Sequence, residues 1–168
     1  KEIMAFPFKG NLNEMASKYL NENVTSVEKA IEGAKYIIAE NISDDAKIRK
    51  SIRDNTYNYG VISSKIKKNA VDENKVYDMY YDYNERVKFI KPHRILALNR
   101  GENEGVLSVS IDNDRDRVID YINKRVIKNE KSFVVDTVKE AIEDSYKRLI
   151  EPSIEREIRS DLTEIGET

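Results

Sequence analysis

The side chains with the clearest chemical potential are cations. Lys65, Lys67 and Lys68 fall within four residues, and Arg94 and Arg100 follow in the same basic segment. Ammonium and guanidinium groups neutralise phosphate, and Tyr77, Tyr80 and Tyr81, downstream of the lysines, offer faces on which bases stack. Together they outline a nucleic-acid contact, RNA or DNA. The plainer reading is that the lysines are solvated and the tyrosines pack a core, and the helical spacing of the tyrosines favours it. Charge is uneven along the chain. Residues 47–100 carry 13 basic against 6 acidic groups, residues 1–46 carry 5 against 8, and residues 101–168 carry 11 against 17. A basic middle suits a polyanion, but an electrostatic footprint requires clustering in space as well as in sequence.

Other chemistry meets obstacles. Asp112-Asn113-Asp114-Arg115-Asp116 opens like a calcium loop, yet the sixth and twelfth positions, where an EF-hand needs Gly and a bidentate Glu, hold Arg117 and Asn123. Acidic residues capping a helix after a strand explain the run better. His93 is the single histidine, and the chain has no cysteine and no G-x-S-x-G elbow to partner it. On a helix His93 and Arg100 lie seven apart on nearly one face, so the expectation is a partly buried structural pair at a helix–strand corner. Gly101-Glu102-Asn103-Glu104-Gly105 lacks the Gly-Lys-Ser/Thr ending of a phosphate loop and places carboxylates where phosphate would sit. No catalytic residue, metal or cofactor is therefore expected.

These residues must be positioned by a chain that is 36% charged, well above the roughly 25% average, and 39% apolar. The sequence has no membrane-length apolar run, no secretory leader and no starting Met, so it reads as a soluble, cytoplasmic piece of a larger protein. Helical periodicity dominates. A first helix is expected over about 11–22. A second starts at a capping box, Thr25 to Glu28, and carries a wide stripe of Val27, Ala30, Ile31, Ala34, Ile37 and Ile38. Gly33 inside that stripe suggests a close helix contact. Ser43 caps a third helix over 44–58. A Tyr-rich helix spans 72–83, Pro92 opens another that Gly101 closes, and further helices run from Asp112 or Asp114 to Val126 and over 134–150. Pro152 restarts the chain into a last helix.

Leu107, Val109 and Ile111 alternate with Ser108 and Ser110 in the cleanest strand pattern, and 61–66 is the preferred partner over 132–135. The expected fold class is mainly α, a multi-helical region with a small two-stranded β element. Ile154, Ile158, Leu162 and Ile165 form a stripe still running at Thr168. It predicts a helix whose cover lies elsewhere, with self-association through residues 158–165.

Three segments carry a family resemblance. Residues 92–107, Pro92-His93-Arg94-Ile95-Leu96-Ala97-Leu98-Asn99-Arg100-Gly101-Glu102 onward, resemble the I-P-S-H-R-x-L-A-x-x-R-G-E-x-E-G-x-L-x-V stretch of the Tex family of bacterial transcription accessory proteins. Residues 30–40 resemble its A-L-x-G-A-R-D-I-I-A-E segment, and residues 146–159 its R-L-x-x-P-S-x-E-R-E-x-R segment. Lys91-Pro92 replaces the family's Pro-Ser, and Lys35-Tyr36 its Arg-Asp. The resemblance implies that 1–168 is a non-catalytic helical scaffold region from the N-terminal half of a larger protein. Its ribonuclease-H-like, helix-hairpin-helix and OB-fold domains would lie beyond this chain. Such a protein binds nucleic acid, acts in transcription and has RNA polymerase as a potential partner. The alternative is a direct nucleic-acid-binding module built on residues 47–100.

Overall fold

The computed structural model describes residues 1–7 and 9–167; Phe8 and Thr168, the last residue of the region read as 1–168, lie outside the described residues. The chain forms two compact units, each assembled from two separated segments. One combines Lys1–Arg49 with Arg115–Glu151, and the other combines Lys50–Asp114 with the segment from Pro152 onward.

In the first unit, α1 (Leu12–Ser17) starts where the Asn11 side chain accepts hydrogen bonds from the N–H groups of Asn13 and Glu14. It stops well short of residue 22. The Asn21 side chain accepts from the N–H groups of Asn23 and Val24, which closes a turn in competition with the helix. Helix α2 (Val27–Ser43) is capped by Ser26 and not by Thr25, because it is the Ser26 hydroxyl that accepts from Lys29 N–H at 3.2 Å. The expected capping box is therefore one residue out of step. Only the C-terminal part of the α2 stripe is deeply buried: Ile38 and Ala39 are enclosed, whereas Ile37 is 59% exposed. Among the described residues no neighbouring atom lies within 4 Å of where a Gly33 Cβ would stand, so the close contact expected there is not formed with them. Helix α2 packs on α1 and on α6 (Val135–Asp144), and α5 (Arg115–Val126) packs on α6. The buried Ser145 hydroxyl ties this core together by donating to the Ala39 carbonyl at 2.6 Å.

Helix α3 (Ala46–Tyr59) begins at Asp45, whose carboxylate accepts from the N–H groups of Lys47 and Ile48; Ser43 is the last residue of α2 and caps nothing. The second unit is built around an antiparallel sheet in the order β2-β1-β3, with β1 Val61–Ile66, β2 Asp82–Arg86 and β3 Leu107–Asp112. The mainly helical class and the pairing of 61–66 with the 107–112 strand agree with the sequence reading. The third strand does not, since it occupies the end of the expected Tyr-rich helix. Asp72 explains the difference. Its carboxylate accepts from Val76 N–H, Tyr77 N–H and the Tyr81 hydroxyl, and Lys75 takes a left-handed φ of 49°. A side chain that satisfies backbone donors locally removes the reason to form a helix.

Helix α4 (Pro92–Asn103) packs against β3. It passes through Gly101 and ends before Gly105, which adopts φ 76°. Gly101 serves closeness instead: a Cβ there would lie 2.5 Å from Leu107 Cδ1. Between α6 and α7 (Glu151–Glu167), Ser145–Ile150 form a π-helical stretch, so Pro152 sits in the first turn of α7 with no break before it. The wider turn accommodates a residue that lacks an N–H and would clash with a carbonyl one turn back. Ile154, Ile158 and Leu162 are buried in the second unit, and Ile165 alone of the stripe is mostly exposed, at 56%. Ile158 and Leu162 thus belong to the core, contrary to the expectation that they would await a cover, and within 158–165 Ile165 is the stripe residue that stays open.

Candidate nucleic-acid interface

The sheet has two chemically different faces, and strand alternation decides which residue meets which. Ile62 and Ser64 of β1 point inward with Leu107, Val109 and Ile111 of β3. Val61, Ser63 and Lys65 point outward, level with Asp112, Ser110 and Ser108 on one side and with Arg86, Asn84 and Asp82 on the other. That outer face is open: Ser108, Ser110, Asn84, Arg86 and Lys65 are all exposed.

Of the five cations singled out in the sequence, three lie together at one end of this face. Lys65 is on β1, and the exposed Lys67 and Lys68 follow in the turn that leaves it, anchored by the Lys67 N–H donating to the Val106 carbonyl. Arg94 lies elsewhere and is occupied. Its Nη1 donates to the Tyr83 hydroxyl at 2.5 Å and lies 3.6 Å from Glu85 Oε2, while Tyr83 itself donates to Glu85. Burial and the bond to Glu85 raise the Tyr83 phenol above its ordinary value, and the Tyr83 bond raises Arg94 further still. Arg100 is exposed in the last turn of α4, where a cation suits the helix dipole. His93 is exposed as well, so the partly buried His93–Arg100 pair is not present.

The tyrosines follow the plainer reading. Tyr77 and Tyr80 are buried, and Tyr80 meets Tyr83 edge-on with ring centroids 5.3 Å apart. The Tyr77 hydroxyl donates to Glu104 at 2.7 Å. Within the 112–116 run, Asn113 Nδ2 donates to the Thr56 hydroxyl at 2.8 Å, and the Asn113 side-chain oxygen accepts from Asp114 N–H.

Sequence reasoning missed the opposite end of the outer face. There Arg86 lies over two exposed rings, 5.9 Å from the Tyr59 centroid and 5.1 Å from that of Phe89, and its Nη2 donates to the Asn58 carbonyl at 2.6 Å. These three residues come from α3, β2 and the turn after β2. No spacing in the chain foretells their meeting.

The family model described as Tex central region-like matches residues 9–168.

The chain belongs to the Tex family.

It is 48% identical over 165 residues to the uncharacterized protein YdcI of Bacillus subtilis, covering 96% of this chain and 23% of that protein. It is 34% identical over 96 residues to the transcriptional accessory protein Tex of Neisseria gonorrhoeae, covering 57% of this chain and 13% of that protein. Transcription elongation factor spt6 of Schizosaccharomyces pombe is 28% identical over 109 residues, covering 59% of this chain and 8% of that protein. The chain therefore spans about a quarter or less of the length of these relatives.

The structure gives two of the Tex-like segments a shared physical purpose. Arg159, from the segment ending E-R-E-x-R, donates through Nη2 to Glu102 Oε1 and to Asn99 Oδ1, both at 2.8 Å, in the segment containing R-G-E. Asn99 Nδ2 in turn donates to the Thr163 hydroxyl at 2.7 Å. Glu155 accepts from Ile111 N–H at 3.0 Å, so α7 also satisfies a backbone donor on the edge of β3. Among the described residues no group of side chains is arranged to hold a metal ion, and no helix is long and apolar enough to cross a membrane.

Proposed function

We propose that this chain is a non-catalytic helical scaffold region of a cytoplasmic, Tex-like transcription accessory protein that binds nucleic acid. Its role is to hold α4, α7 and the sheet as a rigid mount for nucleic-acid-binding modules elsewhere in the protein, with RNA polymerase as a potential partner. The observation that carries this reading is the Arg159–Glu102–Asn99 cluster. Two segments that mark the family are spent on fastening one helix to another. Relatives named as transcription accessory and elongation factors support the role in transcription.

A second reading is favoured by one feature, the exposed Lys65, Lys67 and Lys68 at one end of an open sheet face. In it the chain touches nucleic acid directly. Titration of labelled RNA and DNA against this chain over a range of salt separates the two. A scaffold binds weakly throughout. A module with three phosphate contacts on a single strand loses affinity with a log–log slope of about −2, at roughly 0.7 per contact.

A further inference from the structure

We propose that the outer face of the sheet is a track for single-stranded nucleic acid, with bases stacking on Tyr59 and Phe89 at one end and phosphates held by Lys65, Lys67 and Lys68 at the other. The inference rests on the second reading above and adds to it the single-strand class of ligand and the residues that would recognise it.

The two ends are joined by one strand. Val61 and Lys65 are four residues apart on the same face of β1, a span of about 13 Å at the strand rise of ~3.3 Å per residue. Between them runs a row of short hydrogen-bonding side chains, with Ser63 flanked in register by Asn84 and Ser110. At the Val61 end Tyr59 is 60% and Phe89 57% exposed. Two large aromatic surfaces held open to water cost free energy that burial would recover. Arg86, placed over both rings, fixes their separation and adds a cation beside them. Rings of this kind accept any base because every base has a π-face, and a duplex, whose bases are already stacked, cannot use them. The acidic residues of the face are Asp82, level with Lys65, and Asp112, level with Val61. They stand at its two ends, Asp82 beside Lys65 and Asp112 beside Val61, and leave the middle to the neutral Ser63, Asn84 and Ser110. The lysines that extend past Asp82 at the exit of β1 are left as the phosphate end.

The test uses the whole 168-residue chain with fluorescein-labelled oligouridylate and oligothymidylate of about ten nucleotides, within the site sizes usual for single-strand binders. Expected are binding of the single strands with competition by unlabelled single strand but not by duplex, and roughly tenfold or greater weakening in Tyr59→Ala/Phe89→Ala with an unchanged salt slope. Lys65→Gln/Lys67→Gln/Lys68→Gln should flatten the slope by about 2. Tyr59→Leu/Phe89→Leu keeps apolar bulk if the alanine pair proves unstable, and it should weaken binding similarly. Photocrosslinking of bromouridine-substituted strand to the unaltered chain should label Tyr59 or Phe89. The two oligonucleotides distinguish an RNA from a DNA source. Loss of binding in the lysine variant but not in either aromatic variant would sink the track and leave the basic-module reading standing. No binding of any single strand would overturn both.

Discussion

Arg159 on α7 meets Glu102 on α4 at 2.8 Å, and the same nitrogen also donates to Asn99 at 2.8 Å. The Arg159 side chain is only 16% exposed, against 37% for Glu102. A guanidinium this sheltered is held by geometry as well as by charge, because its planar fork also brings Nη1 to 3.5 Å from the second carboxylate oxygen of Glu102. Arg159→Ala should cost about 1.5–3 kcal/mol, the range for hydrogen bonds to charged groups. Arg159→Lys should recover less than half of the loss, since an ammonium is a point donor. Urea denaturation of the three proteins checks this; equal stability of the lysine and wild-type proteins would show that charge alone matters.

Two helical glycines should respond oppositely to the same substitution. Gly33→Ala adds a methyl into open space and gains helix propensity, raising stability by up to about 1 kcal/mol. Gly101→Ala drives a methyl to 2.5 Å from Leu107 Cδ1, and Leu107 is fully buried. Overpacking of this kind costs about 1–3 kcal/mol and should outweigh the propensity gain. Thermal melts of both variants decide the matter, and a stabilised Gly101→Ala would contradict the packing described.

The last helix offers a graded series. Ile158→Ala removes a side chain that is 2% exposed and should cost about 2–5 kcal/mol. Ile165→Ala, at a site 56% exposed, should change stability by less than about 0.5 kcal/mol. Leu162→Asp should unfold the chain, where a mere docking residue would leave a folded monomer. Circular dichroism with sedimentation distinguishes those outcomes.

The Asp72–Tyr81 pair makes a prediction in pH. For Asp72, burial pushes the carboxyl up, but hydrogen bonds from Tyr77 N–H, Tyr81 and Val76 N–H outweigh it, and the net direction is down. The bond to Asp72, with burial behind it, pushes the Tyr81 phenol up to about 12. A depressed carboxyl contributes stability that is present above its unfolded value of about 3.9 and lost as pH falls below it. A raised phenol contributes stability that is present below about 10 and lost as pH rises toward 12. Spectrophotometric titration should find one phenol ionising late, and Asp72→Asn should bring it back toward the ordinary range. A titration curve unchanged by Asp72→Asn would refute the pairing.

Much of this protein was legible from residue order alone. The alternation of Leu107, Val109 and Ile111 with serines defines β3, and the spacing of Val118, Ile119 and Ile122 defines the buried side of α5, because both patterns are local consequences of backbone period. Family membership was legible too, in motifs written along the chain. Tertiary structure decided what periodicity does not encode. The 72–83 stretch has helical spacing, yet the Asp72 carboxylate and the positive φ of Lys75 turn it into a loop and a strand. Burial of Ile158 and Leu162 depended on the partners that long-range folding brings to α7, which an apolar stripe does not name. The outer face of the sheet was hidden for the same reason. Tyr59, Arg86 and Phe89 are neighbours only through strand register and turn geometry, and register is a property of the folded sheet.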